Sequence, residues 1–249
     1  MNFWTLYKRE LRSIFLSPIA YVVMTGAALI QGAGFAVFLA LMIYQNMRGY
    51  SILYACLNAF VFWFTIMVEA PLISMRSFSE EYKMGTIEML LTAPVREWEV
   101  VLSKFVSLVT FFVLLWIPVA LNVAYVYTFS DQKFDLTWGM VVLPFLMVFL
   151  LGVFFISICL FASSLTKNQI IAAILGFALI FAIFCINFLA YLGLSEGARQ
   201  VVSYLSSLSH MDTFSRGIFD TRPVVLYLSG TAFFLFLTER ILEARRLRS

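Results

Sequence analysis

Six long apolar runs divide this sequence and limit what it can fold into. A helix needs about 20 mostly apolar residues to cross the hydrocarbon core of a bilayer. The runs are 19–44, 52–73, 105–127, 138–163, 170–192 and 223–242. The last is the weakest, because Glu239 and Arg240 fall in its final turn, although both side chains can extend to the headgroups. The runs predict an all-α integral membrane protein with six spans in one domain, residues 19–249.

The composition agrees with a membrane protein and argues against soluble classes. The chain is 62% hydrophobic and 12% charged, whereas soluble domains are about 45–50% apolar and about 25% charged. Its net charge of +3 gives no reason to expect a nucleic acid partner. Cys56, Cys159 and Cys185 all lie inside apolar runs, which favours buried thiols over a disulfide framework.

An amphipathic segment, residues 1–18, precedes the first span. Apolar residues recur at steps of three and four from residue 2 to residue 16, and Lys8, Arg9 and Arg12 fall between them. Such a helix can lie in the headgroup plane, and Pro18 then ends it. The alternative is a plain extension of the first span.

The basic residues predict the orientation of the chain. With the N-terminus in the cytoplasm, twelve of the 17 Lys and Arg residues fall on the inner side and five on the outer side. Basic residues are enriched in cytoplasmic loops. We therefore expect a multi-pass protein of the cytoplasmic membrane with both termini inside.

The segment 193–222 is predicted to contain one or two short helices in the outer leaflet. Its apolar residues keep a helical spacing that is too regular for a plain loop. Asp220 or Thr221 can cap the last span, with Pro223 in its first turn. The chain has one histidine, His210, for which a structural hydrogen bond is favoured over a metal site.

A few polar residues interrupt the spans and are candidates for a substrate path. They are Gln31, Asn58, Glu69, Asn122 and Asn187. Hydrogen bonds between helices are the alternative role for the amides. Glu69 is ionisable, which makes it a functional candidate. An ion pair with a basic residue at the inner rim is its alternative.

The sequence lacks the motifs that would make this chain an enzyme. It contains no GxxxxGK[ST] phosphate loop, no GxSxG elbow and no HExxH pair. We therefore predict no catalytic residues, no metal site and no cofactor in this chain. Energy from ATP would have to come from another subunit.

The stretch 75–104 is the most charged part of the chain and connects the second and third spans. It holds nine of the 31 charged residues. Gly85 interrupts it, and Thr86 can cap a short helix, Ile87–Thr92, with Glu88 in its first turn. The helix would expose apolar residues including Ile87 and Leu91, which favours docking into a groove of a partner. Folding back onto the bilayer is the alternative.

These residues resemble a known family. The runs 78–81 (FSEE) and 85–95 (GTIEMLLTAPV) are similar to the cytoplasmic signature of ABC-2-type transporter permeases. The segments 209–214, 217–220 and 233–237 resemble the branch that contains gliding-motility-associated permeases and the permease for nitrous oxide reductase maturation.

The resemblance implies partners and site residues. It implies a homodimeric or heterodimeric membrane unit, two cytoplasmic ATPase subunits that bind ATP and Mg, and room for a periplasmic or membrane accessory protein. The helix near Thr86–Thr92 would be the coupling helix. The residues assigned to coupling are Glu80, Glu81, Gly85, Thr86, Ile87, Glu88, Leu91 and Thr92.

Two other functions share most of these features. One is a membrane anchor for an ATPase-driven motility or assembly machine through which nothing crosses. The other is an ATP-independent channel or secondary transporter, in which Glu69 would be the coupling group. A substrate-dependent rise in ATPase activity separates the leading hypothesis from the anchor. Ion-driven flux through the chain purified alone would favour the channel or secondary transporter.

Overall fold

The computed structural model describes residues 3–44, 52–87, 96–129, 138–189, 202 and 204–246. Ten helices and no strands form this part of the chain. They are α1 (Phe3–Leu16), α2 (Pro18–Tyr44), α3 (Ile52–Asn58), α4 (Phe60–Ser74), α5 (Ser79–Met84), α6 (Glu97–Phe129), α7 (Trp138–Leu165), α8 (Gln169–Leu189), α9 (Ser207–Ser215) and α10 (Thr221–Arg246).

Six of the described helical segments are long and apolar enough to cross a membrane, which confirms the predicted span count. They are Pro18–Leu41, Phe60–Met84, Glu97–Val126, Trp138–Leu165, Gln169–Asn187 and Thr221–Arg246. The third begins at Glu97 rather than near Phe105, so the charged residues before the apolar run belong to the same helix. The side of the membrane on which each loop lies stays a prediction.

The predicted second span, 52–73, is wrong as a continuous helix. The chain breaks at Ala59, whose backbone is extended with φ −72° and ψ 148°. The Asn58 side chain donates to the Tyr54 carbonyl at 2.9 Å, an alternative to helical backbone pairing at this position. Tyr54 also donates to Asp212 of α9 at 2.7 Å. This contact holds α3 on α9, separate from α4.

Helix α7 forms the centre of the bundle. It packs against α10, α8, α4, α9 and α6, and its side chains from Met147 to Ser164 are almost all buried. The contact with α6 is very close at Gly152. A Cβ built on this glycine would come within 2.1 Å of Phe112, so no larger residue fits here without movement.

The amphipathic start forms a helix as predicted. Helix α1 ends at Leu16 and α2 begins at Pro18, which agrees with the predicted role of the proline. Helix α1 packs on α6, with Leu6 fully buried and Tyr7 Oη 3.1 Å from Thr110 Oγ1. Its position in the headgroup plane stays a prediction.

The segment before the last span contains the helix α9, in agreement with the predicted short helices. Ser206 caps it by accepting a hydrogen bond from the backbone N–H of Ser209. Asp220 caps α10, because its Oδ1 accepts from the Arg222 N–H at 2.9 Å. Residues 190–201, which include the end of the predicted fifth span, lie outside the described residues.

Candidate functional site

A buried cation joins three elements at the predicted cytoplasmic end of the bundle. Lys104 lies in the third turn of α6 and its side chain is 2% exposed. Its Nζ is 2.8 Å from Glu81 Oε1 on α5 and 3.0 Å from Glu10 Oε2 on α1. Two carboxylates therefore surround one ammonium, and the short distances are those of charge-assisted hydrogen bonds.

Further groups complete what we call the charge cluster, which consists of Lys104, Glu10, Glu81 and Arg9. Arg9 Nη2 is 2.5 Å from Glu10 and 3.8 Å from Glu81, so two cations balance two acids. Lys104 Nζ also lies 5.2 Å from the centre of the Phe78 ring, a distance at which a cation is attracted to an aromatic face.

The electrostatic balance of the cluster shows in Glu10. Its burial alone would raise the pKa of the carboxyl, but Lys104 and Arg9 outweigh that effect and lower the pKa. Glu10 is therefore an anion at neutral pH. Removing Lys104 would leave two carboxylates close together without their main counter-charge, which is unfavourable in a buried site.

The turn between α4 and α5 is fixed by one serine of the central helix. Ser163 Oγ accepts from the backbone N–H of Phe78 at 3.1 Å and from that of Ser79 at 3.2 Å. The same hydroxyl donates to the Met75 carbonyl at 3.1 Å. Ser163 is fully buried, so this turn is held against α7 rather than against solvent.

The end of α10 contacts the same stretch at two places. The guanidinium of Arg245 lies 4.3 Å from the centre of the Tyr82 ring on α5. Arg246 forms an ion pair with Glu97, the first residue of α6. The stretch from Met75 to Lys104 is thus anchored where it leaves α4 and again where it enters α6.

The predicted coupling residues take different positions around this anchor. Glu81 points inward to Lys104, whereas Glu80 lies 3.8 Å from Arg76 at the surface. Gly85 ends α5 with φ 71°, a left-handed conformation that suits glycine, as its predicted role requires. Thr86 is exposed, and its hydroxyl is 3.5 Å from the Glu81 carbonyl.

One expectation about the predicted coupling helix is wrong. Ile87 is only 8% exposed and belongs to the hydrophobic core, although the apolar pattern predicted an exposed side chain. The pattern shows which residues are apolar, but it does not show which neighbours cover them. Glu88, Leu91 and Thr92, and with them most of the predicted helix Ile87–Thr92, lie outside the described residues.

The comparison with protein families decides the class of protein. The sequence model of a family described as ABC-2 family transporter protein matches residues 13–242. This match covers nearly the whole chain and includes the anchored stretch. The chain belongs to the ABC-2 transporter family. The domain of this family is a membrane component of ABC transporters and not a nucleotide-binding domain. The chain matches none of the curated proteins with which it was compared.

In this ABC-2 permease, two of the predicted intramembrane polar residues meet. Gln31 Nε2 on α2 donates to Glu69 Oε1 on α4 at 2.8 Å. The predicted alternative for Glu69, an ion pair with a basic residue, is wrong for the part of the chain that the structure describes. Glu69 is 4% exposed, and both Glu69 Oε2 and Gln31 Oε1 are buried without a hydrogen-bond partner among the described residues.

The other three polar residues of the spans are separate from this pair. Asn58 bonds locally at the end of α3, as described above. Asn187 donates to the Phe184 carbonyl and accepts from the Leu208 N–H at 3.4 Å, so it links α8 to the segment of α9. Asn122 is half-buried on α6. Among the five polar residues of the spans, Gln31 and Glu69 are the two that the hydrogen bonds of the described residues join to each other.

His210 has the structural contact that its isolation in the sequence predicted. Its Nδ1 lies 3.1 Å from the Tyr227 hydroxyl of α10, and the side chain is 8% exposed. Burial lowers the pKa of His210, which favours the neutral ring. The contact joins α9 to the last span.

Sequence reasoning missed the central role of Lys104. The charge count predicts only that Lys104 is one of the twelve basic residues on the inner side. A signal was present, because Lys104 is followed directly by the apolar run 105–127 and a cation at that depth needs counter-charges. Glu10 and Glu81 are 94 and 23 residues away, so no local pattern connects them to it.

Proposed function

We propose that this chain is the permease subunit of an ABC transporter driven by two separate cytoplasmic ATPases, each of which binds ATP and Mg. The chain works as a homodimer or heterodimer in the bacterial cytoplasmic membrane and exports a substrate or acts on the envelope. The similarity of residues 209–237 to the gliding-motility and nitrous oxide reductase maturation branch supports an envelope role.

The anchoring of the stretch 75–104 carries this proposal. A loop that receives force from an ATPase must be stiff, because a loose loop would bend instead of moving the spans. Ser163 fixes the start of this stretch, and Arg246 pairs with Glu97 near its end. Between them, α5 is held by the contact of Glu81 with Lys104 and by that of Tyr82 with Arg245. Residue Lys104 belongs directly to the third span, so a displacement of α5 acts on that span through an ion pair.

The exposed side of this stretch is the expected contact for the ATPase. Lys83, Met84, Gly85 and Thr86 are exposed next to the anchored helix α5. Their exposure supports a docking surface at the end of α5. The buried side of α5, which carries Tyr82 and Glu81, transmits the movement.

Copurification followed by ATPase assays tests the proposal. The full chain is coexpressed with the genes that neighbour its own gene, and it is then purified. A partner with a GxxxxGK[ST] loop is identified by mass spectrometry. We expect the ATPase activity of that partner to rise in the complex and to rise again with substrate. Thr86→Pro is expected to lower the rise without lowering insertion of the chain.

Lys167→Pro is the matched control. Lys167 is exposed in the short link between α7 and α8, on the same predicted side of the membrane. It should leave ATPase stimulation unchanged. Equal losses in both variants, or ion-driven flux through the purified chain alone, would contradict the proposed function.

A further inference from the structure

A cavity of about 840 Å³ lies beside the charge cluster and has no assigned occupant. It is formed by α1, the start of α2, the end of α4, helix α5 and the first turns of α6. Its volume is within the range of about 300–1,000 Å³ that is usual for small-molecule sites. The cavity is therefore large enough for a ligand rather than for a few waters.

Two kinds of side chain line this cavity. Some are apolar, among them Val23, Leu72, Leu108 and Phe111. Others are charged and comprise five cations and three acids. The cations are Lys8, Arg9, Arg12, Arg76 and Lys104, and the acids are Glu10, Glu80 and Glu81. An occupant that contacts both kinds of side chain must be an amphiphile.

The acids are already matched with cations, which leaves a positive surplus on α1. Glu10 and Glu81 pair with Lys104 and Arg9, and Glu80 lies 3.8 Å from Arg76. Lys8 and Arg12 remain, both exposed. Lys8 lies 5.5 Å from the Trp4 ring centre, and Arg12 has no hydrogen-bond or ion-pair partner in the described ranges.

Lys8 and Arg12 are four residues apart on one helix, so their side chains are neighbours. Like charges at this spacing destabilise a helix when nothing lies between them. An anion between the Lys8 ammonium and the Arg12 guanidinium reverses that effect. The surplus charge thus indicates that the polar end of the amphiphile is an anion.

The cavity is also accessible from the apolar side. Leu16 and Leu72 both line it, and they are 72% and 36% exposed. In a protein that spans a membrane, exposed leucines next to apolar spans face acyl chains. A lipid can therefore enter from the bilayer, with its acyl chains beginning beside these apolar side chains and continuing into the membrane.

We infer that this cavity binds one anionic phospholipid of the surrounding leaflet, with its phosphate between Lys8 and Arg12 and its glycerol end towards Leu72. The lipid completes the packing between α1 and the bundle. It also places a bilayer component directly beside Glu81 and Thr86, where the ATPase is expected to act. The activity of the transporter would then depend on the headgroup composition of the membrane.

Native mass spectrometry of the purified full chain tests this inference without any ATPase. The protein is titrated with phosphatidylglycerol or with phosphatidylcholine of the same acyl chains. We expect one phosphatidylglycerol per chain to bind with preference. A basic residue near an anionic lipid surface contributes about 1 kcal/mol, which corresponds to about fivefold in affinity. Lys8→Gln/Arg12→Gln should therefore weaken binding about 25-fold.

Lys167→Gln is the charge-matched control, because Lys167 is exposed and does not line the cavity. It should change the affinity less than twofold, as about one kcal/mol is expected only for cations close to the lipid. Leu72→Trp, which fills the apolar part, should reduce binding of phosphatidylglycerol while Lys8 and Arg12 remain.

Three outcomes would overturn the inference. Equal affinity for the two lipids would show that the cations do not select the headgroup. An equal loss in Lys167→Gln would show a general surface-charge effect. Displacement of the lipid by millimolar glycerol phosphate would show a free phosphate site instead of a lipid site. Thermal unfolding of each variant verifies that the comparison is made on folded protein.

Discussion

Two regions of this permease contain buried carboxyl groups, and the partners of these groups differ between the regions. In the charge cluster, Glu10 and Glu81 hold a buried ammonium, and each has a partner on another element. In the Gln31–Glu69 pair, one carboxyl meets one neutral amide and no cation among the described residues. A buried oxygen without a hydrogen-bond partner among these residues occurs in both regions, as Glu69 Oε2 here and as Glu81 Oε2 in the cluster.

The cluster holds helices together by ion pairs, whereas the contacts of the Glu69 carboxyl can change. A buried ion pair with several partners resists movement, because breaking it leaves uncompensated charge. A carboxyl whose partner is one neutral amide can take up a proton, a water or a substrate group at smaller cost, because no ion pair has to be broken. The charge cluster is suited to transmit displacement, and Glu69 is suited to respond to it.

The most direct way to break this comparison is to remove the buried cation. We expect Lys104→Met to destabilise the protein by about 3–5 kcal/mol, because Glu10 and Glu81 lose their main counter-charge. The unfolding midpoint in detergent should fall by on the order of 10 °C. Lys167→Met is the control and should leave the midpoint unchanged, since Lys167 is exposed. A similar midpoint for Lys104→Met and wild type would contradict the role assigned to the cluster.

A compensating variant separates charge balance from transmission. Adding Glu10→Gln and Glu81→Gln to Lys104→Met removes the uncompensated acids, so most of the lost stability should return. The ionic link between α5 and α6 is still absent. We therefore expect a stable protein whose ATPase stimulation is reduced. Full stimulation in this triple variant would show that the link is not needed for coupling.

Glu69→Gln tests the other region and should have a much smaller effect on stability. The amide keeps an acceptor for Gln31 Nε2, so the loss should be about 1 kcal/mol or less. If Glu69 acts in the transport cycle, substrate-dependent ATPase activity should fall while expression and the unfolding midpoint stay normal. A loss of expression would instead assign Glu69 a structural role and remove the contrast with the cluster.

The smallest effect concerns acid pH. The pKa of Glu10 is lowered from its ordinary value of 4.5, so its contribution to stability is complete above about that pH. The contribution is lost as the pH falls through the lower pKa of the folded state. We expect wild type to lose more stability than Glu10→Gln as the pH falls from about 5 to about 3. This range includes the ordinary carboxyl pKa of 4.5. Parallel pH profiles would show that Glu10 is not ionised in the cluster.

The spans could be predicted because each depends on its own composition. A run of about 20 apolar residues has to find an apolar environment wherever it lies in the chain. The start of α1 and the stop at Pro18 could be predicted for the same reason, since amphipathic spacing and proline act locally.

Features that depend on distant contacts could not be predicted. The break at Ala59 goes with Asn58 bonding its own turn and with Tyr54 reaching Asp212, 158 residues away. The burial of Ile87 depends on neighbours that its periodicity does not identify. Lys104 illustrates both cases, because its depth could be seen in the sequence and its two partners could not.

The break at Ala59 also decides where the second span begins. Helix α4 has 15 residues, which corresponds to about 22 Å, whereas the hydrocarbon core is about 30 Å thick. Phe60 at its start is 76% exposed, and the turn after Ser74 leads within a few residues to the charged helix α5. Helix α7, by contrast, has 28 residues and about 42 Å. The second crossing therefore reaches the length of a span only together with the turn and α5, as Phe60–Met84, whereas α7 crosses as one helix. Helix α5 is thus part of this span as well as of the charged stretch.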